Sequence, residues 1–217
     1  MHQRLIVEGN DGWAITQLCA SNALPLPVGF SKETIDKFVL PAGGYGKVAN
    51  LVSATLKEAG ITNIGIVIDA NDAGPAARWD ALSKTLAGAF SEDTLAAAQI
   101  GAEGIVLKET GRPVVGIWIM PDNVSKGYLE HFLAQLVDST EPLWQHTDQT
   151  ILDLVGRDFC RFKPVRQQKA LLHTWLAWQE EPGRPFGTAM QAGYLDAKAE
   201  AVQPFLNWMK QTFRLET

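Results

Sequence analysis

Three apolar runs rich in β-branched residues most constrain what this chain can fold into. They occupy residues 4–8, 64–69 and 114–120. Fully buried parallel strands have this continuous apolar character, whereas half-exposed antiparallel strands alternate between apolar and polar residues. Segments with helical spacing of apolar residues lie between the runs. The sequence therefore predicts an α/β fold, in which a parallel-rich sheet is flanked by helices.

The pattern changes after Thr140, where strand-like runs stop and only helical spacing continues. We expect an α/β core over residues 1–140 and a helical C-terminal extension over 141–217. The stripes of Trp and Phe in this extension need burial, so we expect it to pack on the sheet as one compact unit with the core.

Shorter segments are assigned from caps, prolines and glycines. Residues 21–37 contain Pro25, Pro27 and Gly29 and are predicted to be a surface loop. The predicted helices cover residues 11–20, 47–58, 126–138, 147–155, 164–180 and 197–213, with a further helix after Pro75 and short strands at 38–40 and 105–107. Asn10 or Asp11 is expected to cap the first helix.

Composition limits the partners. The net charge of −5 argues mildly against a broad nucleic-acid-binding face, because such faces are usually basic. No apolar run approaches the ~20 residues that span a bilayer, so no membrane partner is expected. Cys19 and Cys160 are the two cysteines, which favours a reduced, cytoplasmic protein without a disulfide framework. No feature of the sequence indicates an oligomeric state.

Acidic residues stand where the apolar runs end. Glu8 ends the first run and Asp69 the second, with Asp72 close behind; Asp122 follows the third run, and Glu130 comes eight residues later. In open parallel sheets, ligands bind outside the carboxyl ends of the strands. Because Mg²⁺ prefers carboxylate oxygens, water and substrate phosphate, these acids predict a divalent-metal site for phosphoryl chemistry.

A glycine-rich turn over residues 41–47 offers a phosphate site. Gly43, Gly44 and Gly46 allow close approach of backbone N–H groups, and Lys47 adds a positive charge. The segment is not a Walker A loop, because Val48 occupies the Ser/Thr position.

Each of these features has a simpler explanation. A carboxylate such as Glu8 at a strand end can serve only as a cap, and Asp69 with Asp72 can form an Asx-turn before Pro75. The glycine segment can be an ordinary turn. His173 suits either a proton shuttle or a hydrogen-bonded helix position.

Two further groups of residues could either bind nucleic acid or have a purely structural function. A basic run can hold phosphates or form a solvated face; it comprises Arg157, Arg161, Lys163, Arg166 and Lys169. Three tryptophans can stack nucleobases, although their helical spacing favours the core; they are Trp175, Trp178 and Trp208.

The strand-end motifs resemble the Toprim domain, the metal-binding core of primases, topoisomerases and some nucleases. Residues 5–9 (Leu-Ile-Val-Glu-Gly) are similar to its first-strand glutamate motif, and residues 66–71 (Ile-Val-Ile-Asp-Ala-Asn) to its Asp-x-Asp motif. The resemblance implies Mg²⁺ or Mn²⁺, with Glu8 as ligand or general base and Asp69 as principal ligand. Asn71 stands in place of the second Asp, so a single-metal or inactive site is also open.

The whole chain, from about residue 4 to 213, resembles a bacterial family grouped only as a domain of unknown function, with a Toprim-like core related to nucleases of the overcoming-lysogenization-defect type. The similar segments are 115–123, 127–130, 172–179 and 182–187. These resemblances imply a nuclease acting on nucleic acid. The alternatives are a non-catalytic module that binds nucleic acid or a partner protein, and a small-molecule phosphohydrolase.

Overall fold

A computed structural model describes residues 2–9 and 12–215. Asn10 and Asp11, the expected caps of the first helix, lie outside this range. Within it, a five-stranded sheet has the order β2-β1-β3-β5-β4. The strands are β1 (His2–Val7), β2 (Val39–Pro41), β3 (Ile61–Asp69), β4 (Ile105–Leu107) and β5 (Val114–Met120). All neighbouring strands are parallel except β4, which runs antiparallel to β5.

Helices cover both faces of the sheet, so the predicted α/β architecture is confirmed. Those of the first part are α1 (Gly12–Ser21), α2 (Lys32–Phe38), α3 (Tyr45–Thr55), α4 (Gly74–Leu86), α5 (Glu92–Ala97) and α6 (Leu129–Ala134). Those of the C-terminal part are α7 (Pro142–Leu154), α8 (Gln167–Ala177), α9 (Phe186–Gln191) and α10 (Gln203–Phe213).

The sheet separates two hydrophobic cores. On β5, Trp118 and Met120 belong to one core and Ile117 and Ile119 to the other, since successive strand residues point to opposite faces. The first core includes side chains of α1, α6 and α10, and the second includes side chains of α3 and α4. Burial on both faces explains why these strands are apolar without alternation.

Two glycines let α10 lie directly on the sheet. Gly65 of β3 and Gly116 of β5 are register partners. A Cβ on Gly65 would lie 2.8 Å from the ring of Phe213, and a Cβ on Gly116 would overlap the side chain of Thr212. The Asn63 side-chain amide also donates to the backbone carbonyl of Thr212 at 2.7 Å. The helical extension is therefore packed on the sheet, as expected.

Several boundaries differ from the prediction. The expected loop over 21–37 contains most of α2, whose first turn is capped by Ser31. The expected helix over 126–138 is reduced to α6, with a turn before it. Residues 186–191 form the short helix α9, which was not predicted, and Gly187 packs against Trp13.

The tryptophans divide between core and surface. Trp175 and Trp208 are buried as expected, whereas Trp178 is 42% exposed.

Both cysteines are free thiols, and burial raises the pKa of Cys19 to about 12. Among the described residues, no helix is both long and apolar enough to cross a membrane.

Candidate functional site at the carboxyl edge of the sheet

A polar cavity of about 200 Å³ lies where β1, β3 and β5 end. We call it the carboxylate cavity, because Glu8, Asp69 and Glu130 line it. Arg166 and Lys169 complete its charged lining. Acids that are distant in the sequence therefore meet at one edge of the sheet, together with two cations.

Glu8 is positioned by the parallel pairing of β1 with β3. Its backbone N–H donates to the carbonyl of Val67 at 3.0 Å, which continues the ladder one residue past β1. Its side chain then reaches across to the neighbouring strand, where Oε2 accepts from the N–H of Asp69 at 3.1 Å. This bond directs the Glu8 carboxylate toward the end of β3.

Asp69 connects the sheet to α6. Its Oδ1 accepts from the N–H of Leu129, the first residue of α6, at 3.1 Å. The first N–H groups of a helix have no partner within the helix, and they favour a nearby negative charge. Asp69 thus has a structural function at α6 besides any chemical one.

Glu130 already has a positively charged partner. Only 7% of its side chain is exposed, and its Oε1 lies 2.6 Å from Nζ of Lys169. His173, one helical turn further along α8, places Nε2 3.9 Å from the same oxygen. A metal ion bound by Glu130 would compete with Lys169, because one carboxylate oxygen cannot fully neutralise two cations.

Asn71 and Asp72 line a neighbouring cavity of about 300 Å³. We call it the second cavity; Lys126, His131, Gln167 and Gln168 also line it. Asn71 adopts a left-handed backbone conformation with φ of 50°, and its N–H donates to the carbonyl of Gly127 at 2.6 Å.

Tyr128 borders both cavities. Its hydroxyl donates to the carbonyl of Val165 at 2.9 Å. Its ring meets the ring of His131 edge-on, with 4.4 Å between centroids. Burial raises the pKa of Tyr128 and lowers that of His131, so both side chains are held in their neutral forms at neutral pH.

Asp122 lines neither of these cavities, unlike the other predicted acids. Its Oδ1 accepts from the N–H groups of Val124 at 2.9 Å and Ser125 at 2.6 Å, and its Oδ2 accepts from the Ser125 hydroxyl at 2.8 Å. Burial alone would raise the pKa of Asp122, but these hydrogen bonds lower it below its ordinary value. Its carboxylate closes its own turn.

The glycine turn reaches the carboxylate cavity only through Gly44. The N–H of Gly44 donates to the carbonyl of Glu8 at 2.8 Å, so it orders the turn. Gly46 lies in the first turn of α3, and Lys47 is exposed, with Nζ beside Gly43. Among the four predicted phosphate-binding residues, Gly44 alone lines this cavity.

Arg78 is a residue near the site that the sequence did not reveal. Its Nε donates to the carbonyls of Asp69 at 3.0 Å and Ala70 at 3.2 Å, and its guanidinium lies 3.7 Å from the ring centroid of Tyr45. It fixes the backbone after β3. A single arginine in an amphipathic helix has no sequence signal that would identify this function.

The donor set limits what metal site is available. Within residues 2–9 and 12–215, no group of three or more His, Cys, Asp or Glu side chains could hold a metal ion. Glu8 and Asp69 supply two carboxylates at the same cavity. Such a pair suits Mg²⁺, which is usually held by one or two carboxylates together with water and substrate phosphate.

Among the comparisons with known proteins, only the comparison with family models gave a match. No curated protein and no solved structure matches the chain. A family model described as "Protein of unknown function (DUF3226)" matches residues 2–214, which is nearly the whole chain. The protein therefore belongs to the DUF3226 family.

Proposed function

We propose that this protein is a Toprim-type nuclease that hydrolyses phosphodiesters of nucleic acid with Mg²⁺ or Mn²⁺. The observation that carries the proposal is that Glu8 and Asp69 line one cavity together with Arg166 and Lys169. Carboxylates favour a divalent cation, and basic side chains favour phosphate. Metal-dependent hydrolysis of a phosphodiester uses the first to place the cation, and the second can hold the substrate phosphate beside it.

The residues present fit a hard divalent cation. Asp69 would be its principal ligand, the remaining ligands would be water and a phosphate oxygen of the substrate, and Glu8 would then be free to act as the general base. When bound, such an ion stabilises negative charge on the phosphate and makes a bound water more acidic.

The side chains of the cavity have separate functions in the proposed reaction. The Glu8 carboxylate accepts the proton of the attacking water, whose oxygen forms the new bond to phosphorus while the ester bond to the leaving oxygen breaks. The leaving oxygen takes a proton from solvent. Arg166 neutralises charge on the phosphate with the planar guanidinium that suits two phosphate oxygens, while Lys169 stays paired with Glu130 at the edge of the cavity.

A cleavage assay with matched variants tests this proposal. Single- and double-stranded DNA and RNA are incubated with Mg²⁺, with Mn²⁺ and with a chelator. We expect Glu8→Gln to lower the cleavage rate by about 100-fold or more, which is the usual contribution of a general base. Asp138→Asn is the matched control, because Asp138 is an exposed acid that accepts hydrogen bonds within its own turn. Equal rates for wild type and Glu8→Gln would refute the proposed chemistry.

One observation favours a second candidate, a non-catalytic module that binds nucleic acid or a partner protein. Glu8 and Asp69 each accept a backbone N–H, and Lys169 already neutralises Glu130. The acids are thus also explained as structural groups. Calorimetry with Mg²⁺ discriminates the two: no heat and no shift in Tm would favour the binding module, whereas saturable heat would favour the nuclease.

A further inference from the structure

The loop that leads into α8 combines positive charge with an exposed aromatic ring. We call residues 156–166 the basic loop. It carries four cations against one carboxylate, Asp158, although the whole chain has a net charge of −5. The four cations are Arg157, Arg161, Lys163 and Arg166. All four are exposed, and none forms an ion pair with another residue in the described part of the chain.

Phe159 stands among these cations with 62% of its surface exposed. An exposed phenylalanine in a charged loop contributes nothing to either core. Proteins that bind single strands combine a basic surface with aromatic side chains, because the cations follow the phosphates and the rings stack on unpaired bases. Base pairs inside a duplex are already stacked and do not offer their faces to such a ring.

The end of the basic loop is fixed beside both cavities. Arg166 lines the carboxylate cavity, and Pro164 and Val165 line the second cavity. The hydrogen bond from Tyr128 to Val165 holds this end in place. Because a chain extends at most about 3.5 Å per residue, Phe159 lies within roughly 25 Å of Arg166. A strand only a few nucleotides long can therefore contact both.

The second cavity suits an unpaired base next to the phosphate at the carboxylate cavity. Its volume of about 300 Å³ is at the lower end of the range for small-molecule sites. Asn71, Gln167 and Gln168 line it, and their side-chain amides offer both donors and acceptors. Such amides can hydrogen-bond the edge of a base only when that edge is not already paired.

We propose that the ligand of this surface is single-stranded nucleic acid, whose phosphates lie along the basic loop, with one base stacked on Phe159 and one in the second cavity. This inference rests on the proposed function for the position of the reacting phosphate. It adds that the substrate is single-stranded and that the basic loop, together with the second cavity, selects it.

Fluorescence anisotropy with a labelled oligonucleotide tests the inference without any metal. An unstructured strand of about 20 nucleotides and its duplex are titrated with the full chain in chelator, in DNA and in RNA form. We expect the single strand to bind at least about 10-fold more tightly than the duplex, and Phe159→Ala to weaken single-strand binding about 10-fold. Phe30→Ala is the matched control, because Phe30 is a 43% exposed ring that is neither in the basic loop nor in either cavity lining.

A second pair of variants tests the contribution of the cations. Replacing both Arg157 and Arg161 by Ala should reduce the slope of log affinity against log salt by about 0.7 for each lost phosphate contact. Replacing Lys57 and Lys84, which are exposed outside the basic loop, should leave the slope unchanged. Melting curves confirm that every variant is folded.

The outcomes distinguish this inference from the proposed function. Equal affinity for strand and duplex, or equal effects of Phe159→Ala and Phe30→Ala, would overturn the single-strand inference even if the protein cleaves nucleic acid. Selective binding of the single strand that depends on Phe159 would support the inference even if no cleavage occurs with Mg²⁺ or Mn²⁺.

Discussion

The acids at the ends of β1 and β3 differ from the acid beyond β5 in which elements donate hydrogen bonds to their carboxylates. Glu8 accepts a hydrogen bond from the neighbouring strand, and Asp69 accepts one from α6. The Asp122 carboxylate accepts hydrogen bonds from Val124 and Ser125 within its own turn. In sequence the three look alike, since each follows a buried apolar run.

The position of each strand in the sheet accounts for part of this difference. β1 and β3 are adjacent parallel strands, so their carboxyl ends lie side by side at the same edge. β5 lies between β3 and β4. Because β4 is antiparallel to β5, the carboxyl end of β4 lies at the opposite edge of the sheet. Glu8 and Asp69 thus accept an N–H group from a neighbouring element and line a shared cavity, whereas Asp122 closes its own turn.

The largest test of this comparison concerns metal-dependent stability. A ligand that binds only the folded protein stabilises it by about 2.7 kcal/mol at 100 times its Kd. We expect Mg²⁺ to raise the Tm of the wild type, and Asp69→Asn to lose most of that rise because an amide binds Mg²⁺ more weakly. Asp122→Asn should keep the rise. Thermal melts with and without Mg²⁺ measure both, and equal losses in the two variants would contradict the distinction drawn here.

The next test concerns Lys169, which neutralises a buried acid of the cavity. Lys169→Met leaves Glu130 without its closest cation, and removing one partner of a buried pair is destabilising. Lys169 is itself half exposed, so solvent screening reduces the expected loss to about 1–2 kcal/mol. Urea unfolding measures it, with Lys84→Met on α4 as control. A loss no larger than that of the control would mean that Lys169 and Glu130 are not coupled.

The smallest test concerns Asp122 and its pH dependence. Asp122→Ala should cost about 1 kcal/mol of unfolding free energy at neutral pH, because it removes the acceptor of the hydrogen bonds that close the turn. Hydrogen bonding keeps the pKa of Asp122 below its ordinary value of 3.8 in the folded protein. Its contribution is therefore complete above pH 3.8 and is lost as the pH falls through the lower folded value.

Unfolding curves of wild type and Asp122→Ala should accordingly converge in acid. Ser125→Ala, which removes only one of the three hydrogen bonds, provides a milder comparison. A difference between wild type and Asp122→Ala that is independent of pH would show that the ionised carboxylate does not close the turn.

Much of the fold was predictable because the strands are long enough to carry a clear signal. β3 and β5 were identified from continuous apolar runs, and Pro75 marked the start of α4. The helix α2 was not predicted, because Pro25, Pro27 and Gly29 just before it favour a loop. The short helix α9 was likewise not predicted, and Gly187 within it packs against Trp13 of α1, a contact between distant segments.

The site was predictable only where the sheet itself determines positions. Glu8 and Asp69 each follow a predicted parallel strand, so both were expected at the carboxyl edge of the sheet, where they line one cavity. The basic run was visible in sequence, but its approach to the cavity depends on how α8 packs against α6, which has no local signal. The position of Tyr128 between two cavities likewise depends on its contacts with Val165 and His131.

The glycines that bring α10 against the sheet have a consequence for folding order. Phe213 and Thr212 lie over Gly65 and Gly116, which were made much earlier in the chain. The middle of β3 and β5 can be covered on this side only once α10 has been synthesised, so burial of these glycines depends on contacts between distant segments. Truncation before α10 would leave the middle of the sheet uncovered and prone to aggregation, even though every acid of the cavity would still be present.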